Sequence, residues 1–320
     1  MIRIGVVGAG IIAAEHMKHI HHHEHAELTA ICDVAPGAAE LAAQRYGGTA
    51  YTNYDDMLDQ EQLDALFLCV PPFAHGDMEE KAAERGIHLL VEKPLGLNMD
   101  VVRRKAKVLE QSGIITGSGY CLRYMESVQR AKRYLEGKEI AMIRAYRFGG
   151  LPPNVWWVDH AKSGGQLVEQ TTHNLDMMIY LAGDVRKVSA DMALLLSRDV
   201  PGITTPDAAS VNLVFDSGAI GHIDTGFFPQ PDGRASLEVM GRNFRLTLEG
   251  QDLTIMEPEQ TTILRGKGDF YQAQDDAFIR AVETGDRSLI LAPYCEALRT
   301  LEVTLAANES AKTGQAVSLI

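Results

Sequence analysis

The sequence predicts an α/β domain with a doubly wound parallel sheet, followed by an α+β domain with a large, mainly antiparallel open sheet. Over the first 120 residues, short apolar runs alternate with helical stretches, as they do in βαβ units. After about residue 140, β-like runs instead follow one another with turn residues between them. A chain of 320 residues is long enough for two domains, which we expect to span 1–120 and 121–320.

Turn and capping residues set the predicted element boundaries. Asn98 is the expected N-cap of one helix, and Gly86 and Gly113 are expected helix ends. In the first domain the predicted strands span 2–8, 26–33, 64–70, 87–92 and 114–119, and the helices span 12–20, 37–46, 75–85 and 98–113. In the second domain strands are predicted at 141–149, 188–196, 209–215, 219–228, 235–241, 244–250 and 253–257, and helices at 123–136, 165–182, 271–284 and 293–313. The last helix is expected to pack back towards the first domain.

Composition argues against several classes of protein. The formal net charge of −13 would repel a polyanion, and the sequence has neither an 18-residue apolar run nor a signal peptide pattern. We therefore expect a soluble, cytoplasmic protein with neither nucleic acid nor a membrane as its partner. The four cysteines lie far apart without a CxxC pair, which favours reduced, buried thiols over a zinc site or a disulfide framework.

A glycine-rich loop follows the first predicted strand. Its sequence, GAGIIA, is a GxGxxA variant of the dinucleotide-binding fingerprint. Gly8 permits the tight turn, Gly10 lets the backbone approach a pyrophosphate, and Ala13 lets the helix pack closely on the strand. The helix N-terminus attracts phosphate through its N–H groups and its dipole. The predicted cofactor-binding residues of this loop are Gly8, Ala9, Gly10, Ile11 and Ile12.

Asp33 ends the second predicted strand. In dinucleotide-binding domains a carboxylate near this position accepts hydrogen bonds from the adenosine ribose hydroxyls. A 2′-phosphate would meet like charge there, and the following residues 34–36 offer no cation, so NAD is preferred over NADP. The alternative interpretation is that Asp33 merely caps the next helix.

The carboxyl ends of two further strands are expected to reach the same crevice. In the motif VEKP, Lys93 could polarise or protonate an alkoxide as hydride leaves carbon. A strand-end salt bridge between Glu92 and Lys93 is the equally weighted alternative. The loop after the preceding strand is expected either to line the nicotinamide ribose or only to form a rigid helix start. Its residues are Val70, Pro71, Pro72 and His75.

The segment 163–178 predicts a helix with three ionisable residues on one face. Glu169, His173 and Asp176 fall at i, i+4 and i+7 among apolar neighbours, which favours a stripe facing a cleft over a solvated face. A histidine oriented by a carboxylate suits general acid–base work near neutral pH. The three side chains could also ligate a metal, but hydride transfer needs none if Lys93 supplies the electrophile.

Two other clusters are open to a functional or a structural interpretation. Six of the eleven histidines lie between His16 and His25. There a solvated helix end, remote from the carboxyl ends of the strands, is favoured over a metal site. Trp156 and Trp157 are either core residues or part of the wall of an active site.

With these residues in place, the chain resembles the Gfo/Idh/MocA oxidoreductase family, the group around glucose-fructose oxidoreductase and the inositol dehydrogenases. EKP followed by GG and an acid-x-x-x-His-x-x-Asp segment is far more specific than the glycine fingerprint. The likeness spans nearly the whole chain. In order, the matching segments are GAGIIA (8–13), the Asp33 strand end, VPPFAH (70–75), VEKPLG (91–96), SGGQLVEQTTHNLD (163–176) and ESAKTGQAV (309–317).

The resemblance implies a Rossmann domain followed by a mainly antiparallel domain, with homo-oligomers (dimers or tetramers) formed through the open sheet face. It implies that Lys93 and His173 are catalytic groups. By the same resemblance, the residues that approach cofactor or substrate are Tyr120, Arg123, Trp157 and Tyr271. Gln170 and Asp176, on the segment that carries His173, are also predicted to bind substrate. Glu169 differs from the family pattern, because many members carry Asp at this position. Its longer side chain shifts the carboxylate, so the identity of the substrate is left open.

We therefore predict an NAD-dependent oxidoreductase that transfers hydride between a nicotinamide and a hydroxyl-bearing carbon of a sugar, polyol or sugar derivative. Lys93 would stabilise the alkoxide, His173 would move the proton, and Glu169 would orient the imidazole. One alternative is a glycosidase-type enzyme in which the cofactor oxidises a sugar only transiently. Another is a non-catalytic, cofactor-sensing regulator on the same fold.

Overall fold

The computed structural model describes residues 1–228 and 233–319, and its contacts divide the chain into two compact units. The first unit comprises Met1–Tyr124 and Asp269–Leu298, and the second comprises Met125–Gly268 and Arg299–Ile320. This division differs from the predicted boundary at residue 120, because the chain returns to the first unit after residue 268. Within the two described ranges, no helix is long and apolar enough to cross a membrane.

Strands and helices alternate in the first unit and then give way to a run of strands. The strands are β1 (Ile2–Val7), β2 (Ala26–Cys32), β3 (Thr49–Tyr51), β4 (Ala65–Leu68), β5 (His88–Val91), β6 (Thr116–Ser118), β7 (Ile140–Gly149), β8 (Val185–Ala193), β9 (Ala208–Phe215), β10 (Ile220–Phe227), β11 (Arg234–Gly241), β12 (Phe244–Glu249), β13 (Asp252–Met256), β14 (Thr261–Leu264) and β15 (Val317–Ser318). The α-helices are α1 (Ile11–His22), α2 (Ala38–Tyr46), α3 (Tyr54–Gln60), α4 (Met78–Glu84), α5 (Met99–Ser112), α6 (Glu126–Leu135), α7 (His160–Ser163), α8 (Gln166–Glu169), α9 (Thr172–Ala182), α10 (Phe270–Thr284) and α11 (Tyr294–Thr313). Short 3₁₀ helices span Cys121–Tyr124, Val155–Val158 and Arg287–Leu289.

A parallel sheet forms the centre of the first unit. Its described strands lie in the order β3-β2-β1-β4-β5-β6, with each neighbouring pair parallel. Ile4, Val6 and Phe67 are fully buried, as expected for strands covered by helices on both faces. The chain order reverses between β1 and β4, and open α/β sheets bind their ligands beyond the carboxyl ends of the strands at such a point. The predicted doubly wound sheet is confirmed.

A mixed sheet forms the second unit. Its described strands lie in the order β14-β13-β12-β11-β7-β10-β9-β8-β15. The pairing of β7 with β10 is parallel, and the other neighbouring pairs are antiparallel. Along β12, Phe244, Leu246 and Leu248 are buried in alternation with more exposed residues, and α6 and α9 pack on the sheet. The predicted large, mainly antiparallel sheet is confirmed.

The sequence analysis does not predict α3, α7, β3, β14 or β15. Helix α3 is short and acidic, although the Asn53 side chain caps it by accepting the N–H groups of Asp55 and Asp56. The strands β14 and β15 lie at the two edges of the mixed sheet and are mostly exposed. Helix α3 buries Tyr54, Met57 and Leu58 at helical spacing, a signal that the sequence reasoning missed. The three strands bury so little surface that they leave no clear periodicity in the sequence.

Asp207 anchors the loop that joins β8 to β9. Its buried carboxylate accepts, at 2.6–3.1 Å, the backbone N–H groups of Leu195, Leu196 and Ser197. Burial would raise the pKa of Asp207, but these N–H groups hold it below its ordinary value. Thr205 in the same loop donates its hydroxyl to the carbonyl oxygen of Trp157 at 3.1 Å. The anchored loop therefore supports the backbone of Trp157.

Replacing Asp207 by Asn should destabilise the protein by about 1 to 3 kcal/mol near pH 7, because an amide accepts these N–H groups less well than a carboxylate. The pKa of Asp207 is lower in the folded protein than in the unfolded chain, where it is about 3.9. The stabilisation is therefore present above the unfolded pKa and is lost as the pH falls through the folded pKa. Urea unfolding at neutral and at acidic pH measures the effect. The exposed Asp199, changed to Asn, is the control. A difference between Asp207→Asn and the original protein that does not shrink in acid would contradict this role.

Candidate functional site

The loop between β1 and α1 leaves a helix N-terminus accessible. Gly8 has a φ of +93°, and a Cβ there would lie 2.7 Å from the carbonyl oxygen of Cys69, so the position requires glycine. A Cβ built on Gly10, the N-cap residue, would meet no described heavy atom within 4 Å. No described side chain caps α1. The first N–H groups of the helix are thus left to bind an anionic group such as a pyrophosphate.

Asp33 holds this loop from the end of β2. Its Oδ2 accepts the N–H of Ala9 at 2.7 Å, and its Oδ1 accepts the N–H of Ala35 at 2.8 Å. Asp33 does not cap the next helix, because α2 begins only after Gly37 and carries no cap from a described side chain. A carboxylate can accept about four hydrogen bonds, so both oxygens keep acceptor capacity for ribose hydroxyls.

Three buried side chains contact one another near the end of β4. They come from the loop that follows β4, from α4 and from α5. His75 Nδ1 lies 2.8 Å from Glu79 Oε1, and Lys105 Nζ donates to Glu79 Oε2 at 2.7 Å; we call these residues the Glu79 triad. Burial would raise the pKa of Glu79, but His75 and Lys105 hold it below its ordinary value. Within the described residues, His75 Nε2 has no hydrogen-bond partner, which fits a partner supplied by a ligand. The triad therefore fixes the ring of His75, which belongs to the same loop as the predicted residues Val70, Pro71 and Pro72.

Glu92 and Lys93 follow β5 at the carboxyl edge of the same sheet. Glu92 is 4% exposed, and its Oε2 accepts the backbone N–H of Lys93 at 3.0 Å. Gly119 packs so closely that a Cβ there would lie 2.4 Å from the Glu92 carboxyl atoms. Tyr120, the next residue, is fully buried, whereas Lys93 is partly exposed. Glu92 therefore fixes the backbone of Lys93 through a hydrogen bond to its N–H. The sequence analysis considered only a salt bridge between the two side chains.

Two histidines of α1 correct the prediction of a solvated helix end. His16 and His19 are 0% and 7% exposed. His16 Nδ1 lies 2.8 Å from Asp275 Oδ1 in α10, and His16 Nε2 lies 3.3 Å from Glu92 Oε1. His19 Nδ1 lies 2.7 Å from Asp275 Oδ2. We call these four residues the His16 cluster. His16 reaches the carboxyl end of β5, so the prediction that the histidines are remote from the strand ends is wrong for it.

The apolar pattern of α1 contains the signal for this cluster. His16 lies three residues after the buried Ala13 and four residues before the buried Ile20, which places it on the helix face that packs into the unit. Burial would lower the pKa of His16, but Asp275 and Glu92 raise it to about 10. At neutral pH His16 is therefore an imidazolium that donates from both nitrogens. The contact with Asp275 lies so far along the chain that sequence reasoning missed it.

Two further residues assigned by resemblance also belong to the first unit. Arg123 is 2% exposed, and its guanidinium donates to the carbonyl oxygen of Leu291 at 2.8 Å and to Glu296 Oε2 at 2.9 Å. Tyr271, at the start of α10, lies edge-on to His16 with ring centroids 6.5 Å apart. Tyr271 therefore lies next to the His16 cluster. Arg123 binds the residue segment just before α11 and the first turn of that helix.

The predicted helix 165–182 in the second unit is interrupted, and the prediction of a continuous helix is wrong. Helix α8 ends at Glu169, and α9 begins three residues later. The N–H of Thr171 donates to the carbonyl oxygen of Gln166, five residues earlier, and its hydroxyl pairs with that of Thr225 in β10. Five-residue steps of this kind occur often at functional sites.

The interruption places Glu169 against the indole of Trp157. Glu169 Oε2 accepts the Trp157 Nε1–H at 3.0 Å and the side-chain N–H of Gln170 at 2.5 Å. Trp157 is fully buried and lies edge-on to Phe227 with ring centroids 5.1 Å apart. Trp157 is therefore a core residue whose N–H also orients the Glu169 carboxylate.

The polar stripe of this region is buried. Glu169, His173 and Asp176 are 9%, 7% and 1% exposed, so the alternative of a solvated face is wrong. Asp176 Oδ1 accepts the hydroxyl hydrogen of Thr300 in α11 at 2.9 Å. Among residues 1–228 and 233–319, no three His, Cys, Asp or Glu side chains are arranged to hold a metal ion.

The sequence and fold are similar to those of known dehydrogenases. The scyllo-inositol 2-dehydrogenase (NAD(+)) of Bacillus subtilis (strain 168) is 28% identical over 334 residues, covering 99% of this chain and 96% of that protein. The myo-inositol 2-dehydrogenase of Thermotoga maritima is 26% identical and covers 89% of each chain. The crystal structure of the WlbA dehydrogenase from Bordetella pertussis in complex with NADH and UDP-GlcNAcA has a TM-score of 0.86 and 26% identity, covering 100% of this chain and 99% of that one.

Family models match both units. Residues 2–120 match an oxidoreductase family with an NAD-binding Rossmann fold, and residues 128–247 match the GFO/IDH/MocA C-terminal domain. The first match contains Asp33 and Lys93, and the second contains Glu169 and His173. The chain, which opens with an NAD-binding Rossmann domain, therefore belongs to the Gfo/Idh/MocA oxidoreductase family.

Proposed function

We propose that this protein transfers a hydride between NAD and a hydroxyl-bearing carbon of a sugar, polyol or sugar derivative. The observation that carries the proposal is the fixed backbone of Lys93, a cation directly after β5, at the sheet edge that also bears the glycine loop. The names of the relatives support the substrate class, since two are inositol 2-dehydrogenases and the WlbA structure contains NADH with a sugar nucleotide. Bound NAD would supply the hydride acceptor or donor.

In this proposal, groups of the first unit would bind the pyrophosphate and the two riboses of the cofactor. The N-terminus of α1 would hold the pyrophosphate, Asp33 would hold the adenosine ribose, and the loop 70–75 would contact the nicotinamide ribose. NAD is favoured over NADP because a 2′-phosphate would oppose the Asp33 carboxylate. Tyr120, Trp157 and Tyr271 stay predictions as cofactor contacts.

Three ionisable side chains would perform the chemistry. The Lys93 ammonium would stabilise the negative oxygen that develops as the C–H bond breaks, and its backbone is held by Glu92. His173 would take or return the hydroxyl proton, and Glu169 would orient the imidazole. Substrate contacts by Arg123, Gln170 and Asp176, a homo-oligomeric state and a cytoplasmic location stay predictions.

A spectrophotometric screen of polyols, aldoses and glycosides with NAD tests the proposal. NADH formed in proportion to an oxidised polyol or aldose would support it. Glycoside cleavage without net NADH would support the glycosidase-type alternative instead. Tight NAD binding without conversion of any compound would favour the cofactor-sensing regulator and contradict the proposal.

The cofactor assignment depends on Asp33. We expect NAD to bind at least about tenfold more tightly than NADP, a difference of about 1.4 kcal/mol, because the carboxylate repels a 2′-phosphate. Asp33→Ser should narrow this gap, and Asp100→Ser, at an exposed position of the same unit, should leave it unchanged. Fluorescence titration of the original protein and both variants with the two reduced cofactors measures the six affinities. Equal affinity of the original protein for the two cofactors would refute the assignment.

The chemical role depends on Lys93. Lys93→Ala should lower kcat by about 10² or more while NAD affinity stays within a few fold, because transition-state stabilisation is lost and the glycine loop is untouched. Lys93→Arg should not restore the rate, since a planar guanidinium cannot replace a compact charge at short range. Steady-state kinetics with the best substrate measures the effect, with the exposed Lys107→Ala as control. Turnover by Lys93→Ala close to the original rate would make Lys93 a structural residue.

Substrate preference depends on Glu169. Glu169→Asp shortens the side chain, so the carboxylate can no longer reach both the Trp157 and the Gln170 donors from the same backbone position. We expect the ratio of kcat/KM values for two polyols to change more than the NAD affinity, because the glycine loop belongs to the other unit. Glu259→Asp, exposed in the second unit, is the control. A change confined to NAD affinity would contradict this role.

A further inference from the structure

The His16 cluster contacts the turn that carries Lys93 through the Glu92 side chain. His16 and Asp275 are both fully buried, and His16 Nδ1 lies 2.8 and 2.9 Å from the two carboxylate oxygens of Asp275. On the other side of the ring, Nε2 lies 3.3 Å from Glu92 Oε1. The imidazole therefore spans two buried carboxylates of the first unit.

Glu92 transmits this contact to Lys93. Its Oε1 faces His16, and its Oε2 accepts the Lys93 backbone N–H at 3.0 Å. Movement towards β6 is blocked, because Gly119 already packs too closely to admit a Cβ. The orientation of the carboxylate thus depends on His16, and the backbone of Lys93 depends on the carboxylate.

Electrostatics keeps the contact in place at neutral pH. Two buried carboxylates close to one ring are stabilised when the ring carries a positive charge. Burial would lower the pKa of His16, but Asp275 and Glu92 raise it to about 10. Burial would likewise raise the pKa of Asp275, but His16 and His19 lower it. The cluster is therefore a charge-paired unit with fixed donors and acceptors.

We propose that His16 is a positioning residue for Lys93, acting through the Glu92 carboxylate, with Asp275 holding the imidazole. Helix α1 then has two roles, because its first turn follows the glycine loop and its second turn supports the turn that carries Lys93. The consequence for turnover rests on the proposed function of Lys93, but the consequence for the geometry of Lys93 does not.

Two replacements of His16 separate its two contacts. An Asn amide can place an N–H near the position of Nδ1, towards Asp275, whereas a Gln amide can place one near the position of Nε2, towards Glu92. Both remove the imidazolium and its charge. A merely structural role predicts similar effects of the two variants, since each loses one buried contact and the same charge.

If His16 positions Lys93 through Glu92, His16→Asn should lower kcat by about tenfold or more, and His16→Gln by about threefold or less, since small displacements of a catalytic group are costly. Affinity for NADH, measured directly by fluorescence, should stay within about twofold of the original value for both. The exposed His22→Gln on the same helix is the control and should change neither quantity. Equal kcat values for the Asn and Gln variants would overturn the proposal.

A second measurement needs no turnover. The rate at which an amine-reactive reagent labels Lys93, followed by peptide mass spectrometry, should rise about threefold or more in His16→Asn and less in His16→Gln, because an unanchored turn opens more often. Gly119→Ala, which displaces Glu92 without touching His16, should raise labelling in the same way if His16→Asn fails to fold. Unchanged labelling of Lys93 in the folded variants would overturn the proposal. An original protein without dehydrogenase activity would instead defeat only the proposed function.

Discussion

The buried Glu92 carboxylate requires specific partner groups, and these partners determine the structure around the candidate site of the first unit. A buried carboxylate is destabilising unless every partner is in place, and here the partners come from separate elements. Lys93 supplies its backbone N–H, Gly119 leaves room for the carboxyl group, and His16 supplies a positive charge. Because His16 is itself buried, it needs Asp275, which lies in α10. The return of the chain to the first unit after residue 268 therefore provides the counter-charge on which the Lys93 turn depends.

The second unit holds its candidate carboxylate by a different kind of contact. Glu169 accepts hydrogen bonds from the Trp157 indole and the Gln170 amide, both neutral donors. Neutral donors orient a carboxylate without cancelling its charge, whereas an imidazolium does both. The backbone of Trp157 is in turn supported by Thr205 in the loop that Asp207 anchors. The orientation of Glu169 thus depends on a loop that lies far from it in sequence.

Most of the first sheet and the glycine loop could be predicted, because parallel strands buried on both faces appear as continuous apolar runs bounded by turn residues. The interruption at Gln170 and Thr171 could not, since both residues continue the helical pattern and the break depends on a contact with Thr225. The spacing of His16 with Ala13 and Ile20 indicates that it is buried, but not which charged residue it contacts. Its partner in α10 is 259 residues away in sequence, and a run of neighbouring histidines resembles a polar helix end. Local patterns therefore indicate the fold and the loops of the candidate site, but not the long-range charges that hold those loops.

The Glu79 triad and the His16 cluster lie behind the ends of β4 and β5, which are neighbours in the sheet. Both place a buried carboxylate between cationic or imidazole groups. Buried ion pairs of this kind contribute little more to stability than apolar side chains of the same volume, so stability alone does not account for two of them at one edge. What apolar packing cannot provide is a defined direction for a polar group, and here the directions fixed are those of the His75 ring and the Lys93 backbone. Ligands of open α/β sheets bind at this edge, and a group held in one orientation before binding need not lose that freedom when the ligand arrives.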